Sequence, residues 1–429
     1  MNKPTDTILP ERAPALGVPL RYFLLGLLYL AGLLLTAIWK APLLAADYLH
    51  NPATLAVTHL FTLGFAGTIV TGAITQMIPV LLHSHLFSER LANGQLAVHG
   101  LGVLLMVAGF LQFQTAWVIT GGSLVVTGAV LFFLNLGLTF RRAERWNWHG
   151  LHIVFAMLYY VATLSWGLVM AFNQRYGFLG EVEGATLTAH LVLGLLGWFS
   201  LMIIGVGLKL VPMFAPGKAL PAPIVAAAGG SLALGALLTL FGLWYGPVLR
   251  WTGLLLTAAA LLAYAGLTFY TYLHRRSGPL DFSIRFSLTA AAVMLLPLVG
   301  LLLAGREGRA ALVMLFALGF IGGTIMGMLL RIIPFMVWLH RFRNRTHKLE
   351  KIPFLHELFQ PRYGWIAYLT WFPGVALMAL GLYVSLGALI VVGALLGLAA
   401  LGAFAIAVRQ ILHHVPPGTP PLFPGKPAK

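Results

Sequence analysis

The chain has 429 residues, 59% of them hydrophobic and only 9% charged, with a mean hydropathy of +0.90. Soluble domains carry roughly a quarter charged residues, so this chain has too little polar surface to face water and reads as an all-α integral membrane protein. It contains no cysteine, which excludes disulfides, iron–sulfur clusters and thiolate-held metals. The net charge of +16 would suit nucleic acid, but the placement of the basic residues explains it otherwise.

A polar segment, residues 1–20, precedes the first apolar stretch. No small-residue cleavage site follows it, so the stretch is expected to be retained. A membrane-spanning helix needs about twenty apolar residues. Twelve such spans are predicted, at 21–46, 54–82, 94–113, 116–140, 149–173, 185–214, 220–243, 249–273, 282–304, 310–338, 363–385 and 388–412. Together they form a single membrane domain, 21–412, followed by a proline-rich tail, 413–429, that cannot continue a helix.

Basic residues alternate between the two sides. One side holds Lys3, Arg12 and Arg21, then Arg141, Arg142 and Arg145, then Arg275 and Arg276. It also holds the run Arg341, Arg343, Arg345, Lys348, Lys351 and Arg362, and the tail residues Arg409, Lys426 and Lys429. The other side has only Arg175, Arg250, Arg306 and Arg309. By the positive-inside rule, both termini are expected in the cytoplasm and the protein in a bacterial-type cytoplasmic (inner) membrane. Nucleic acid is then not needed to explain the charge.

Spans two, six and ten repeat one pattern. Thr58–Leu82 reads THLFTLGFAGTIVTGAITQMIPVLL, Ala189–Phe214 reads AHLVLGLLGWFSLMIIGVGLKLVPMF, and Val313–Phe335 reads VMLFALGFIGGTIMGMLLRIIPF. With Pro79, Pro212 and Pro334 superimposed, Gly64, Gly197 and Gly319 coincide. So do Phe65, Trp198 and Phe320; Gly72, Gly205 and Gly327; and Gln76, Lys209 and Arg331. Met314 falls on His59, and His190 lies two positions earlier. The period is a four-helix unit. It predicts three pseudo-threefold-related repeats at about 21–140, 149–273 and 282–412.

His59, about two turns into its span, is the strongest candidate ligand. A neutral imidazole there can hold haem iron, and ionisable groups inside a membrane are functional by default. Gly64 and Gly67 would leave room for a porphyrin face. Met314 could complete a His/Met pair, against the plain reading that methionine, of which there are 13, is a packing residue. His190 could bind haem or a second metal, or rest at the interface. Gln76, Lys209 and Arg331 read as residues reaching toward the headgroups, the alternative being a ring for an anionic group. His83, His85, His99, His149, His152 and His340 fall toward the cytoplasmic side and could gather around copper or zinc, with His85, His99, His152 and His340 as the candidate ligands. The bland reading is scattered interfacial histidines. No Asp or Glu lies inside a span, which argues against a proton pump.

These motifs, HLFTLGF…GAITQMIPVL and HLVLGLLGW…VPMF, within twelve spans and three four-helix repeats, resemble subunit I of the haem–copper oxidases. They resemble still more its poorly characterised subunit-I-like relatives and, in style, the haem- and copper-containing NnrS-type proteins of nitric oxide response. The resemblance implies that His59 is an axial ligand of a haem b. It places Met314 where span ten should carry a histidine, and His190 where the first copper ligand stands. Gly194 replaces the tyrosine expected a turn later. Span seven, Leu220–Leu240, lacks the histidine pair, and the arginine pair between spans eleven and twelve is missing. A complete oxygen-reducing centre, and with it a proton-pumping terminal oxidase, is therefore not expected.

The reading is a haem-binding membrane protein with His59 and either Met314 or His190 as ligands. It would serve electron transfer from a respiratory donor, or the sensing or handling of a diatomic gas, nitric oxide or oxygen. The alternatives are a transporter or copper-handling protein on the same scaffold, or a non-catalytic assembly partner of respiratory complexes.

Overall fold

The computed structural model describes residues 12–46, 51–144, 146–179, 183–215, 220–276, 280–303, 308–342 and 353–415. The first eleven residues, residues 343–352 of the long basic loop and residues 416–429 of the tail lie outside them. Among the described residues there are twelve helices long and apolar enough to cross a membrane, and the chain is a multi-pass, all-α membrane protein. They are α1 (Gly17–Trp39), α2 (Pro52–Leu81), α3 (Glu89–Leu111), α4 (Thr115–Phe140), α5 (Trp148–Tyr176) and α6 (Gly184–Phe214). The second half contributes α7 (Ala222–Tyr245), α8 (Pro247–Leu273), α9 (Phe282–Gly300), α10 (Arg309–Arg341), α11 (Pro361–Tyr383) and α12 (Gly387–Leu412).

Local chemistry sets the ends that hydropathy misplaces. The predicted first span, 21–46, is two helices: α1 stops at Trp39, and a short helix, Ala41–Ala46, follows across Pro42. α3 begins five residues before the predicted start because the Ser88 hydroxyl accepts the Leu91 N–H and caps a polar first turn. α2 starts at Pro52 behind an Asn51 cap that accepts the Ala53 N–H. α5 ends at Gly177, which takes the left-handed conformation (φ 66°) that terminates helices.

α2, α6 and α10 form the centre. Their apolar windows are 67%, 78% and 72% buried, against 33–56% for the other nine spans. Each contains a π-helical segment: Leu60–Gly67, Val192–Ser200 and Leu315–Gly322. All three end twelve residues before the helix's proline. The widened turns are visible in the bonds across them. Thr68 Oγ1 donates to the Leu63 carbonyl, and Ser200 Oγ to the Leu195 carbonyl, each five residues back.

The π-turn has a geometric purpose. In α2 the glycines that receive α1 are Gly64 and Gly72, eight apart. The residues that fill them, Tyr29 and Tyr22, are seven apart. On a regular helix residues seven apart share a face, whereas residues eight apart do not. One extra residue in the turn brings the glycines onto a single face. The same interlock recurs twice. Tyr159 and His152 of α5 fill Gly197 and Gly205 of α6, and Val293 and Phe286 of α9 fill Gly319 and Gly327 of α10.

The remaining helices pair as tight hairpins, α3 with α4, α7 with α8 and α11 with α12. Each crossing uses glycines seven apart, Gly102/Gly109, Gly235/Gly242 and Gly374/Gly381, where a Cβ would strike the facing backbone. Small residues allow such approach where lipid supplies no hydrophobic drive. A methyl group on Gly393 would lie 2.5 Å from the Gly374 carbonyl, whereas one on Gly402 meets nothing within 4 Å. Gly393→Val is accordingly expected to cost about 1–3 kcal/mol and Gly402→Ala close to nothing, read as the shift in thermal midpoint in detergent. Equal midpoints for the two variants would refute the close crossing.

Candidate functional site

The site is built on the first two turns of α2 and α6. His59 is the last residue before the π-turn of α2. Its Nδ1–H donates to the Leu55 carbonyl one turn back, at 2.7 Å. A carbonyl only accepts, so Nδ1 carries the proton and Nε2 is left with the lone pair. His190 of α6 faces it: the two ring centres are 6.4 Å apart, with planes inclined by 31°. The Nδ1 of His190 is buried without a hydrogen-bond partner, and its other nitrogen is turned to the Thr163 backbone of α5. Each imidazole thus has one nitrogen turned to main chain, and the Nδ1 of His190 is left without a partner. That is the usual arrangement of histidines that bind metal, since the tie fixes the tautomer and the ring orientation.

Two neighbours hold the pair. Phe110 of α3 stacks on His59 at 5.1 Å between ring centres. Gly167 of α5 lies under His190, and a Cβ there would sit 2.8 Å from the imidazole Cε1. Neither Phe110 nor Gly167 is marked by any motif. Leu55 and Thr163 act through backbone and leave no mark on residue type.

The other expected residues are placed as follows. Met314 occupies the position before the π-turn of α10, as His59 does in α2, and packs half-buried against the apolar core. Among the described contacts it is His190, and not Met314, that meets His59. The porphyrin space expected at Gly64 and Gly67 is taken. Tyr29 fills the first glycine, and the second abuts the carbonyl of Thr62 in its own widened turn.

His99 is buried at mid-height of α3, where its Nε2–H donates to the Leu63 carbonyl of the π-turn at 3.0 Å. His152 is buried between Gly205 and Gly229, in the slot that Tyr22 and Phe286 fill in the two matching crossings. His149 joins the same contact, its Nδ1 bonded to the Gly205 carbonyl at 2.8 Å. His85 and His340 are exposed. Among the described residues no three His, Asp or Glu side chains form a group able to hold a metal ion.

A packing role for His152 has a direct check. His152→Phe is expected to keep the fold, as the aromatic residues at the matching positions do. His152→Ala should lose about 3 kcal/mol, in the range of large-to-small core changes, measured as the thermal midpoint of purified protein. A phenylalanine variant as unstable as the alanine one would show that the imidazole nitrogens matter.

At the opposite end of the central helices, Arg331 pairs with Asp281 at 2.5 Å and lies over the Phe214 ring of α6. Asp281 also accepts the Ser283 N–H at the start of α9. The arginine is therefore a cross-tie between α9, α10 and α6, and differs from the headgroup-seeking residue expected. At the matching position of α2, Gln76 buries its Oε1 without a partner.

No protein-family model matches the chain, and no curated protein is significantly similar to it.

Proposed function

We propose that the protein is a haem-binding membrane protein on a scaffold like subunit I of the haem–copper oxidases. His59 of α2 and His190 of α6 would hold the haem iron, in an electron-transfer centre or a gas-handling one. The observation that carries this reading is the facing pair of part-buried imidazoles, each with one nitrogen turned to backbone. Their surroundings are apolar, and the donor set, two neutral nitrogens, suits haem iron. When bound, the group would supply one-electron chemistry. The chain's own part is to fix the two tautomers, keep the rings opposed and exclude bulk water.

The recurrence of three interlocks, three π-turns and three glycine hairpins supports a scaffold of four-helix units repeated three times. The charge bias supports cytoplasmic termini in a bacterial-type inner membrane. A second reading, a single copper ion held between the same two imidazoles, is favoured by one observation: the glycines that would have bordered a porphyrin are filled by Tyr29 and by the π-turn itself.

The test is the reduced-minus-oxidised spectrum of purified protein expressed with ample haem, together with haem and copper quantified per chain. A b-type spectrum near one haem per chain supports the first reading. A colourless protein holding one copper per chain supports the second. Absence of both overturns the assignment and leaves a scaffold used for transport or assembly.

A further inference from the structure

The proline ends of the central helices are not sealed. α2, α6 and α10 are buried over most of their length, yet toward the proline each keeps a partly exposed face, and it is the same face in all three. Among residues 197–214 of α6 only Val206, Lys209 and Met213 are not buried, and among residues 318–337 of α10 only Met328, Arg331 and Phe335. The matching positions of α2, Ala73, Gln76 and Val80, are partly exposed as well. Counted from the proline, the three sets coincide: six before, three before and one after. The spacing i, i+3, i+7 puts each set on one side of its helix. One turn further in, Ile69, Met202 and Thr324 are buried, so each face runs about 10 Å along its helix and then closes.

Lipid does not account for these faces. Their middle residues are Gln76, Lys209 and Arg331, and in a membrane such side chains turn to the bundle interior or to water. Arg331 shows the direction. Its guanidinium lies over Phe214 of α6 and reaches Asp281 just before α9, so this face of α10 looks into the space between α6 and α9. Asp281 engages one Nη of Arg331, while Nε is left without a partner. α2, α6 and α10 have no carboxylate of their own. A cleft with apolar walls and an excess of one sign of charge concentrates ions of the opposite sign.

We infer that the proline ends of α6 and α10 form water-filled clefts that take a small oxyanion, a carboxylate or a phosphate, with Lys209 and Arg331 as its charge partners. The cleft beside Gln76 is built alike but is neutral and takes none. The site is separate from the His59–His190 pair and does not depend on it.

The absence of native cysteine makes the test direct. The full-length variants Ala73→Cys, Val206→Cys and Met328→Cys, in phosphatidylcholine nanodiscs, are reacted with two methanethiosulfonates. One bears a sulfonate and the other a trimethylammonium group, and each rate is taken relative to a free thiol in solution. All three variants should react, whereas Ile74→Cys, Ile204→Cys and Leu329→Cys, at buried positions nearby, should not. The sulfonate should be favoured about tenfold at Val206→Cys and Met328→Cys, and not at Ala73→Cys. Adding Lys209→Gln to the first or Arg331→Gln to the second should remove that preference. Inorganic phosphate or acetate should slow the sulfonate at these two positions, and whichever does so identifies the oxyanion. Slowing by phosphatidylglycerol in the disc instead would place the phosphate on a lipid.

Unreactive cysteines at positions 206 and 328 would overturn the clefts. Reaction without charge preference, or unaffected by phosphate, acetate and phosphatidylglycerol alike, would overturn the oxyanion site. Neither readout involves haem or copper, so the outcome is distinct from that of the histidine assignment.

Discussion

His59→Ala is expected to abolish cofactor retention, with the b-type spectrum of the purified protein lost and affinity reduced by well over the 10–100-fold typical of changes beside a ligand. The ground is the fixed tautomer. With Nδ1 bonded to Leu55 at 2.7 Å, Nε2 carries the lone pair, and alanine removes it without replacement. His99→Ala is the contrast. Its Nε2 is already spent on the Leu63 carbonyl, so the spectrum should persist while the protein loses about 1–3 kcal/mol through an orphaned buried carbonyl. Both are read from one preparation each, by haem per chain and thermal midpoint. Haem retained at full occupancy in His59→Ala would sink the assignment.

Deleting Ala66, a residue of the π-turn in α2, is expected to be as damaging although it removes no ligand. One residue fewer returns the segment to a regular helix and turns everything on one side of it by about 100°. The half toward Pro79 is locked by Tyr22 in Gly72, so the half carrying His59 must rotate, and the histidine leaves His190. The expected result is a protein with nearly unchanged helical circular dichroism and no haem spectrum. An Ala66 deletion with a wild-type spectrum would show that the turn is incidental. Substitution with a larger side chain is a poorer test, because it alters packing as well as register.

Much of this fold is readable before any coordinates. Twelve apolar runs mark the spans, and some of their boundaries shift where a cap or a proline overrules hydropathy, as at Ser88 and Pro42. The π-turns are less legible, since no residue type demands one. Their trace is a spacing, glycines eight apart on α2 facing tyrosines seven apart on α1, and it has meaning only once the two helices are known to touch. The site divides in the same way. His59 stands out as a histidine inside a membrane span. That its partner would be His190 was open, because a one-residue difference in register turns a helical side chain by about 100° and sequence cannot supply the helix's rotation. His99 and His152 misled for a related reason: each turns one nitrogen to backbone and buries an unpartnered Nδ1, but neither belongs to a group of ligands among the described residues, which a letter does not show.

The carbonyl of Leu63 has a consequence for the order in which the bundle is built. A π-turn leaves main-chain acceptors outside the regular ladder, and in hydrocarbon each needs a partner. Leu63 has two, the hydroxyl of Thr68 in its own helix and the imidazole of His99 on α3. Chains are synthesised from the N-terminus, so α2 is made before His99. Thr68, like Ser200 in α6, sits on the same helix as the carbonyl it serves, so each turn has one partner as soon as its own helix is made. The second partner of Leu63 arrives only when α3 packs beside α2. The histidine of α3 thus completes a turn that α2 alone leaves one bond short.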